Sequence, residues 1–230
     1  MKEIPFESGA VLVVDKPLNW TSFDVVKKIR YAICKQYNLK KIKVGHAGTL
    51  DPLATGVVVV CIGKKTKIID QFINESKEYI GKIRLGSTTP SFDLETEIDK
   101  EFPLPALDDK TLKEISKNFS GEILQSPPIF SAKRIKGKRA YEYARNNEEI
   151  VLKPNSVTIH NLELKVDDKN TLSFKCHCSK GTYIRSLARD IGLFLDSGGH
   201  LISLRRIKSG NFSLEMAKSL DEWIDIIKAS

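Results

Sequence analysis

Apolar residues fall into runs of three kinds along this chain, and each predicts a different element. "AVLVVDKP" is a short apolar run that closes at Pro17, the pattern of a buried strand. "TSFDVVKKIRYAICKQYN" follows with Val25, Val26, Ile29 and Ile33 on one helical face, entered through Thr21 or Ser22. "VVVVCIG" reads as a strand buried on both sides, and "KEYIGKIRLG" alternates as a half-buried one. Leu112, Ile115 and Phe119 form a helical stripe ahead of Gly121. "SVTIHNLELKV" and "TLSFKCHCS" flank the turn "DDKN" as a hairpin, and Leu187, Ile191 and Leu195 mark a helix that stops at Gly198-Gly199. "SLDEWIDII" ends the pattern as a short helix in which Ser219 and Glu222 have capping-box spacing. Strands and helices mix without a βαβ rhythm. The expected fold is therefore α+β, a mixed, mostly antiparallel central sheet flanked by helices. There is no repeat, low-complexity tract or clear linker. "SAKRIKGKRAYEYARNNEE" combines high charge with Gly137 and few apolar residues, and is expected to be a mobile segment able to close over a ligand.

Composition narrows the class of partner. With 230 residues, 41% of them hydrophobic, the chain has enough apolar material for one large domain or two small ones. Lys and Arg number 37 against 29 Asp and Glu, a net charge of +8 that fits a polyanionic partner. The basic residues gather at Lys27–Lys43, Lys133–Arg145 and Arg205–Lys208, and the acids at Asp93–Glu101, so one strongly positive face is expected. No secretory signal or 18-residue apolar span is present, and the four cysteines read as reduced thiols of a cytoplasmic, non-membrane protein. Cys176-His177-Cys178 has alternating side-chain directions in a strand and no second ligand pair, so no metal site is expected.

The candidate chemistry lies in "GHAGTLDPLATG", residues 45–56. Three glycines and a proline shape this stretch, and Asp51 is its only acid. Pro52 biases Asp51 towards an extended or turn conformation, which suits a displayed reactive group as well as an ordinary turn acid. His46 adds a second polar group. "GKKT" at Gly63–Thr66 lacks the upstream glycine spacing of a phosphate loop. In "SKGTYIRSLARDIG", Thr182 is a candidate helix cap, and Arg185 stands in the first turns, where the helix dipole disfavours a cation. An acid must hold it there if it is not a surface arginine, and Asp51 is the candidate. Tyr79 lies on a strand face with Ile83 and Leu85, as a core aromatic or as a stacking platform for a base.

"GHAGTLDPLATGVVVVCIG" closely resembles the catalytic motif of the TruB family of tRNA pseudouridine synthases. The resemblance extends in family order to "DKPLNWTS", "KEYIGKIRLGSTT", "QSPPIFSAKRIKGKRAYEYAR", "KGTYIRSLARDIG" and "LRRIKSGNF", covering most of residues 10–215. It implies the pseudouridine synthase fold and an isomerase that detaches uracil 55 in the tRNA T loop and rejoins it through carbon 5, without cofactor, metal or guide RNA. By position, Asp51 matches the catalytic aspartate, Tyr79 the tyrosine that packs on the base, and Arg185 the arginine that pairs with the aspartate. His46 matches the motif histidine, and Tyr183 and Leu204 match residues lining the uridine pocket. The expected organisation is a catalytic domain over residues 1–215 and a short helix at 216–230 where many members carry a PUA-type domain. The protein is expected to bind the T arm as a monomer. Two further departures are Asn19, where the family usually has glycine, and "TTPSFD" in place of an acid-containing "TDT" stretch. Alternatives are a guide-dependent relative, a binding-only module and a DNA glycosylase.

Overall fold

The computed structural model describes residues 6, 8–131, 133–135, 137–146, 148 and 152–230. In chain order its first elements are β1 (Ala10–Lys16), α1 (Ser22–Gln36), β2 (Val44–His46), β3 (Ala54–Ile62), a 3-10 segment (Gly63–Ile68) running into α2 (Ile69–Asn74), and β4 (Lys77–Leu85). Next come β5 (Ser87–Thr88), β6 (Lys100–Glu101), α3 (Asp109–Asn118), β7 (Gly121–Gln125), β8 (Arg134–Ile135), β9 (Lys138–Arg139) and α4 (Ala140–Arg145). The last are β10 (Asn155–Asp168), β11 (Thr171–Cys178), α5 (Ile184–Phe194), β12 (Gly199–Ser209), β13 (Phe212–Ser213), β14 (Lys218–Ser219) and α6 (Leu220–Ala229). The fold is α+β with mostly antiparallel pairing, as the hydrophobic pattern predicts: β1–β14 and β3–β12 pair parallel, and β1–β3, β2–β3, β7–β10, β10–β11 and β12–β13 antiparallel.

Two compact units divide the chain, one of residues up to Tyr79 together with Leu204–Ser230, the other Ile80–Ser203. In the first, strands run in the order β14-β1-β3-β12, with β2 on β3 and β13 on β12. β3 is buried at every position except Thr55. One cover is a cluster in which Val13, Ala47, Val57 and Val59 pack with Ile69, Phe72, Ile73 and Phe212. This explains why its sequence is a continuous apolar run and not an alternating one. α1 turns Val25, Val26, Ile29, Ala32 and Ile33 inward, and each fully buried aliphatic side chain contributes roughly 1.5–3 kcal/mol. Its start is fixed by Thr21, which accepts from the Asp24 amide while the Asp24 carboxylate accepts from the Thr21 amide. α6 has the expected capping box between Ser219 and Glu222, and its Trp223 indole N–H donates to the Val13 carbonyl at 2.8 Å.

The second unit orders its strands β12-β4-β11-β10-β7. β10 and β11 form the expected hairpin, whose turn is set by the Asp168 carboxylate accepting from the Asn170 amide at 2.9 Å. α3 buries Ile115 completely and is capped by Asp108. Two expectations are corrected. α5 ends at Phe194, with Leu195 as its cap and Asp196 turning at φ 50°, and Gly199 already opens β12. Thr182 is no cap: its hydroxyl donates to the Ser179 carbonyl, and Tyr183 is the N-cap residue. Within "SAKRIKGKRAYEYARNNEE", the described residues form the β8–β9 hairpin and α4, while residues 132, 136, 147 and 149 lie outside the described set.

Candidate active site

"GHAGTLDPLATG" is only partly a loop. Gly45 and His46 belong to β2 and Ala54–Gly56 to β3, which leaves residues 47–53 as the connection that carries Asp51. Gly48 and Gly56 take positive φ, and a Cβ on Gly56 would collide with the Arg206 carbonyl, so glycine is required there by close backbone approach.

Four residues hold this connection by its backbone. Lys16, fully buried at the end of β1, donates its ammonium protons to the carbonyls of Pro17 (3.0 Å), Trp20 (2.6 Å) and Pro52 (3.2 Å). The Asn19 amide also donates to the Pro52 carbonyl, at 2.9 Å. Ser22 accepts from the Leu50 amide at 2.8 Å and donates back to the Leu50 carbonyl at 3.2 Å. From β12, the buried Arg206 guanidinium donates to Val57 (2.7 Å), Gly48 (3.1 Å) and Thr49 (3.5 Å). The residues before and after Asp51 are thereby fixed, and its half-buried carboxylate is displayed from a rigid frame. Burial pulls the Lys16 ammonium down to about 8, opposed by the negative charge of Asp51, so these two groups feel each other's field.

His46 is half-buried opposite Val60 in the β2–β3 register. Burial, and then the Arg206 charge, lowers its pKa, which keeps the imidazole neutral at neutral pH. Its buried Nδ1 has no hydrogen-bond partner among the described residues. Tyr79 is buried on the inward face of β4 with Ile83 and Leu85. Leu204 is half-buried and lies opposite Ala54 in the parallel β3–β12 pair, three residues beyond Asp51.

In the second unit, α5 carries Tyr183 and Arg185. The Tyr183 amide donates to the Gln125 side-chain oxygen at 2.8 Å, so a glutamine at the end of β7 occupies the capping role. Ser186 adds a bond from its hydroxyl to the Ser126 carbonyl at 2.8 Å. Arg185 is buried, donating to the carbonyls of Ser91 (3.1 Å) and Phe130 (2.8 Å), with Nε 3.5 Å from the Asp93 carboxylate. The sequence names Asp51 as the acid for Arg185; Asp93, from the "TTPSFD" stretch, is a further acid that lies beside this arginine. Asp93 is itself buried; its carboxylate accepts from the Glu95 amide and its carbonyl from the Thr89 hydroxyl.

The same geometry corrects one basic cluster. Arg206 is buried, Arg205 is tied to Asp15 at 2.7 Å and to the Thr55 hydroxyl at 3.1 Å, and Lys208 lies 3.5 Å from Glu78. Of this cluster Arg206 is a structural cation, while Arg205 and Lys208 each face an acid and stay partly open to solvent. Lys16, Ser22, Arg206, Gln125 and Asp93 are the positioning residues that sequence reasoning missed; only the lysine closing an apolar strand hinted at its burial. Among the described residues no helix is long and apolar enough to cross a membrane.

Comparison with known proteins places this frame. Residues 35–184 match the N-terminal domain of the TruB family of pseudouridylate synthases, and residues 185–229 match the C-terminal domain of tRNA pseudouridylate synthase B. The chain is 52% identical over 223 residues to tRNA pseudouridine synthase B of Parabacteroides distasonis, covering 97% of this chain and 95% of that protein. It is 51% identical over 223 residues to the protein of the same name from Phocaeicola vulgatus, covering 96% and 95%. A chain of the solved Cbf5-Nop10-Gar1 complex superposes with a TM-score of 0.71 at 28% identity; the match covers 96% of this chain and 54% of that one, so this chain spans about half its length. With a family model matching well over half the chain and full-length relatives at half identity, the chain belongs to the TruB family of pseudouridylate synthases.

Proposed function

We propose that this chain is a tRNA pseudouridine synthase that isomerises the uridine at position 55 of the T loop, with Asp51 as the reacting carboxylate. The observation that carries the assignment of Asp51 is its mounting: the one acid of a connection whose flanking carbonyls and amides are held by Lys16, Asn19, Ser22 and Arg206. Reactive groups held by such supporting shells keep their geometry when the substrate binds.

A uridine in a folded loop has to leave its stack before side chains reach it, and the expelled base needs an aromatic or apolar wall. Tyr79 is assigned that wall, with Leu204 and Tyr183 as further lining and His46 as the neutral polar group that meets the substrate. Breaking the N-glycosidic bond leaves positive charge on the sugar. An ionised Asp51 answers it either as nucleophile at the ribose or as the base that removes a ribose proton. Uracil then turns, bonds through carbon 5 and exchanges its carbon-5 proton for one on nitrogen 1, so atoms are conserved and no cofactor enters. Arg185 is assigned to support the Asp51 carboxylate, as the resemblance implies. The residues from 1 to 215 carry this machinery, the T arm is the recognised part of the tRNA, and no guide RNA takes part.

The test is direct. Unmodified tRNA transcript is incubated with the protein and with Asp51→Asn, and pseudouridine is mapped by carbodiimide-induced reverse-transcription stops. A stop at uridine 55 with the wild-type protein and none with Asp51→Asn, at RNA affinities within a few fold, is the expected result. Absence of the stop with wild-type protein would remove the assignment.

A further inference from the structure

We infer that the solvent face of α1 is an RNA-binding surface on which Phe23 and Tyr31 stack against unpaired bases while Lys27, Lys28 and Lys35 meet phosphates. The five residues fall on one side of the helix: at about 100° per residue they occupy an arc of about 140°. The opposite side is the buried stripe of Val25, Val26, Ile29, Ala32 and Ile33. Phe23 is 61% exposed and Tyr31 64% exposed, and all three lysines are exposed. Two large aromatic rings on the water side of a helix gain nothing from solvent. Their spacing with Lys27 and Lys35, each four residues from the next, gives a row in which ring and ammonium alternate.

Charge selects the occupant. The one acid on this face, Asp24, accepts from the Thr21 amide at 3.0 Å and the Thr21 hydroxyl at 2.5 Å and feels the Lys27 charge, so three ammonium groups outnumber one carboxylate on this face. An apolar protein partner would need contiguous apolar surface, and here every ring is flanked by an ammonium group. A polyanion with exposed flat bases fits both components. The face also begins at the reacting loop, because Ser22, which bonds both backbone groups of Leu50, directly precedes Phe23. The inference rests on the proposed function for the identity of the RNA.

Two double variants test it, Phe23→Ala/Tyr31→Ala and Lys27→Gln/Lys35→Gln, with thermal melts confirming that these exposed substitutions leave the fold intact. Affinity for unmodified tRNA transcript is measured across a salt series, and single-turnover pseudouridine formation at saturating RNA. The aromatic double is expected to weaken binding at least about tenfold with an unchanged salt slope, since it removes both stacking platforms and no charge. The lysine double is expected to flatten the plot of log affinity against log salt by about 1.4–1.8, with the saturated rate unchanged. Affinities within twofold of wild type and unchanged slopes for both doubles would overturn the inference. Wild-type protein that binds the transcript without modifying it would defeat the functional reading alone, and the affinities of the variants would still decide this one.

Discussion

Asn19 shows how one backbone amide keeps a reactive loop in place without touching the reaction. It stands where the family usually has glycine, and it takes φ 65°, a conformation that asparagine tolerates far better than branched residues do. That turn aims its amide at the Pro52 carbonyl, next to Asp51. Asn19→Gly is therefore expected to be close to neutral, whereas Asn19→Val should cost about 1–2 kcal/mol in urea unfolding and slow the single-turnover rate. Equal rates for both variants would separate the turn from the Asp51 geometry. Lys16 makes a pH prediction. Burial lowers its pKa from 10.5 to about 8, so the folded state holds this proton less tightly than the unfolded chain. Its contribution to stability then rises with pH between about 8 and 10.5, while the positive charge beside Asp51 disappears over the same interval. The rate should fall through about pH 8 without a matching loss of fold stability, and the slower Lys16→Met should lack that limb; a wild-type rate flat to pH 10 would sink the idea. The shaped connection that carries Asp51 was legible in the sequence because glycine and proline crowd one short stretch. Lys16 and Arg206 were not, because a buried cation bonding carbonyls leaves no periodic mark.

At the level of elements, legibility followed the range of the interaction. α6 and the β10–β11 hairpin were readable because the Ser219–Glu222 box and the Asp168–Asn170 turn close within three residues. The start of α5 was misread because its amide finds its acceptor in Gln125, 58 positions away, and no local pattern marks that. The two helix starts should respond differently to loss of their acceptors. Ser219→Ala removes a local cap and should cost about 1 kcal/mol with no effect on turnover. Gln125→Met leaves the Tyr183 amide unpaired at a residue that is only half-buried itself but whose acceptor is 1% exposed, a loss of roughly 1–3 kcal/mol. Because α5 carries Arg185 two residues on, Gln125→Met should also lower kcat, with KM changing less. Urea melts and steady-state kinetics on both variants check this, and a wild-type kcat for Gln125→Met would show that the cap serves stability only.

For the whole molecule, a net charge of +8 overstates the surface available to a polyanion. Arg206 is spent on three backbone carbonyls and Arg205 on Asp15, and Arg185 is buried beside Asp93. Counting cations along the sequence could not separate these from the exposed Lys40, Lys41 and Lys43 that follow α1. The two groups should behave oppositely. Changing Lys40, Lys41 and Lys43 to Gln takes the net charge from +8 to +5 (8 − 3). If each meets a phosphate, the salt dependence of tRNA affinity flattens by ~2–3 in log–log slope, with the melting temperature unchanged. Arg206→Met takes away one charge that is itself buried, and the donors for the carbonyls of buried Val57 and of Gly48 and Thr49. It should lower stability by about 3 kcal/mol or more and leave the salt slope of the surviving folded protein at the wild-type value. A salt series run beside urea melts on both proteins decides the matter: a flatter slope for Arg206→Met at unchanged stability would put that arginine on the RNA and not in the frame that holds Asp51.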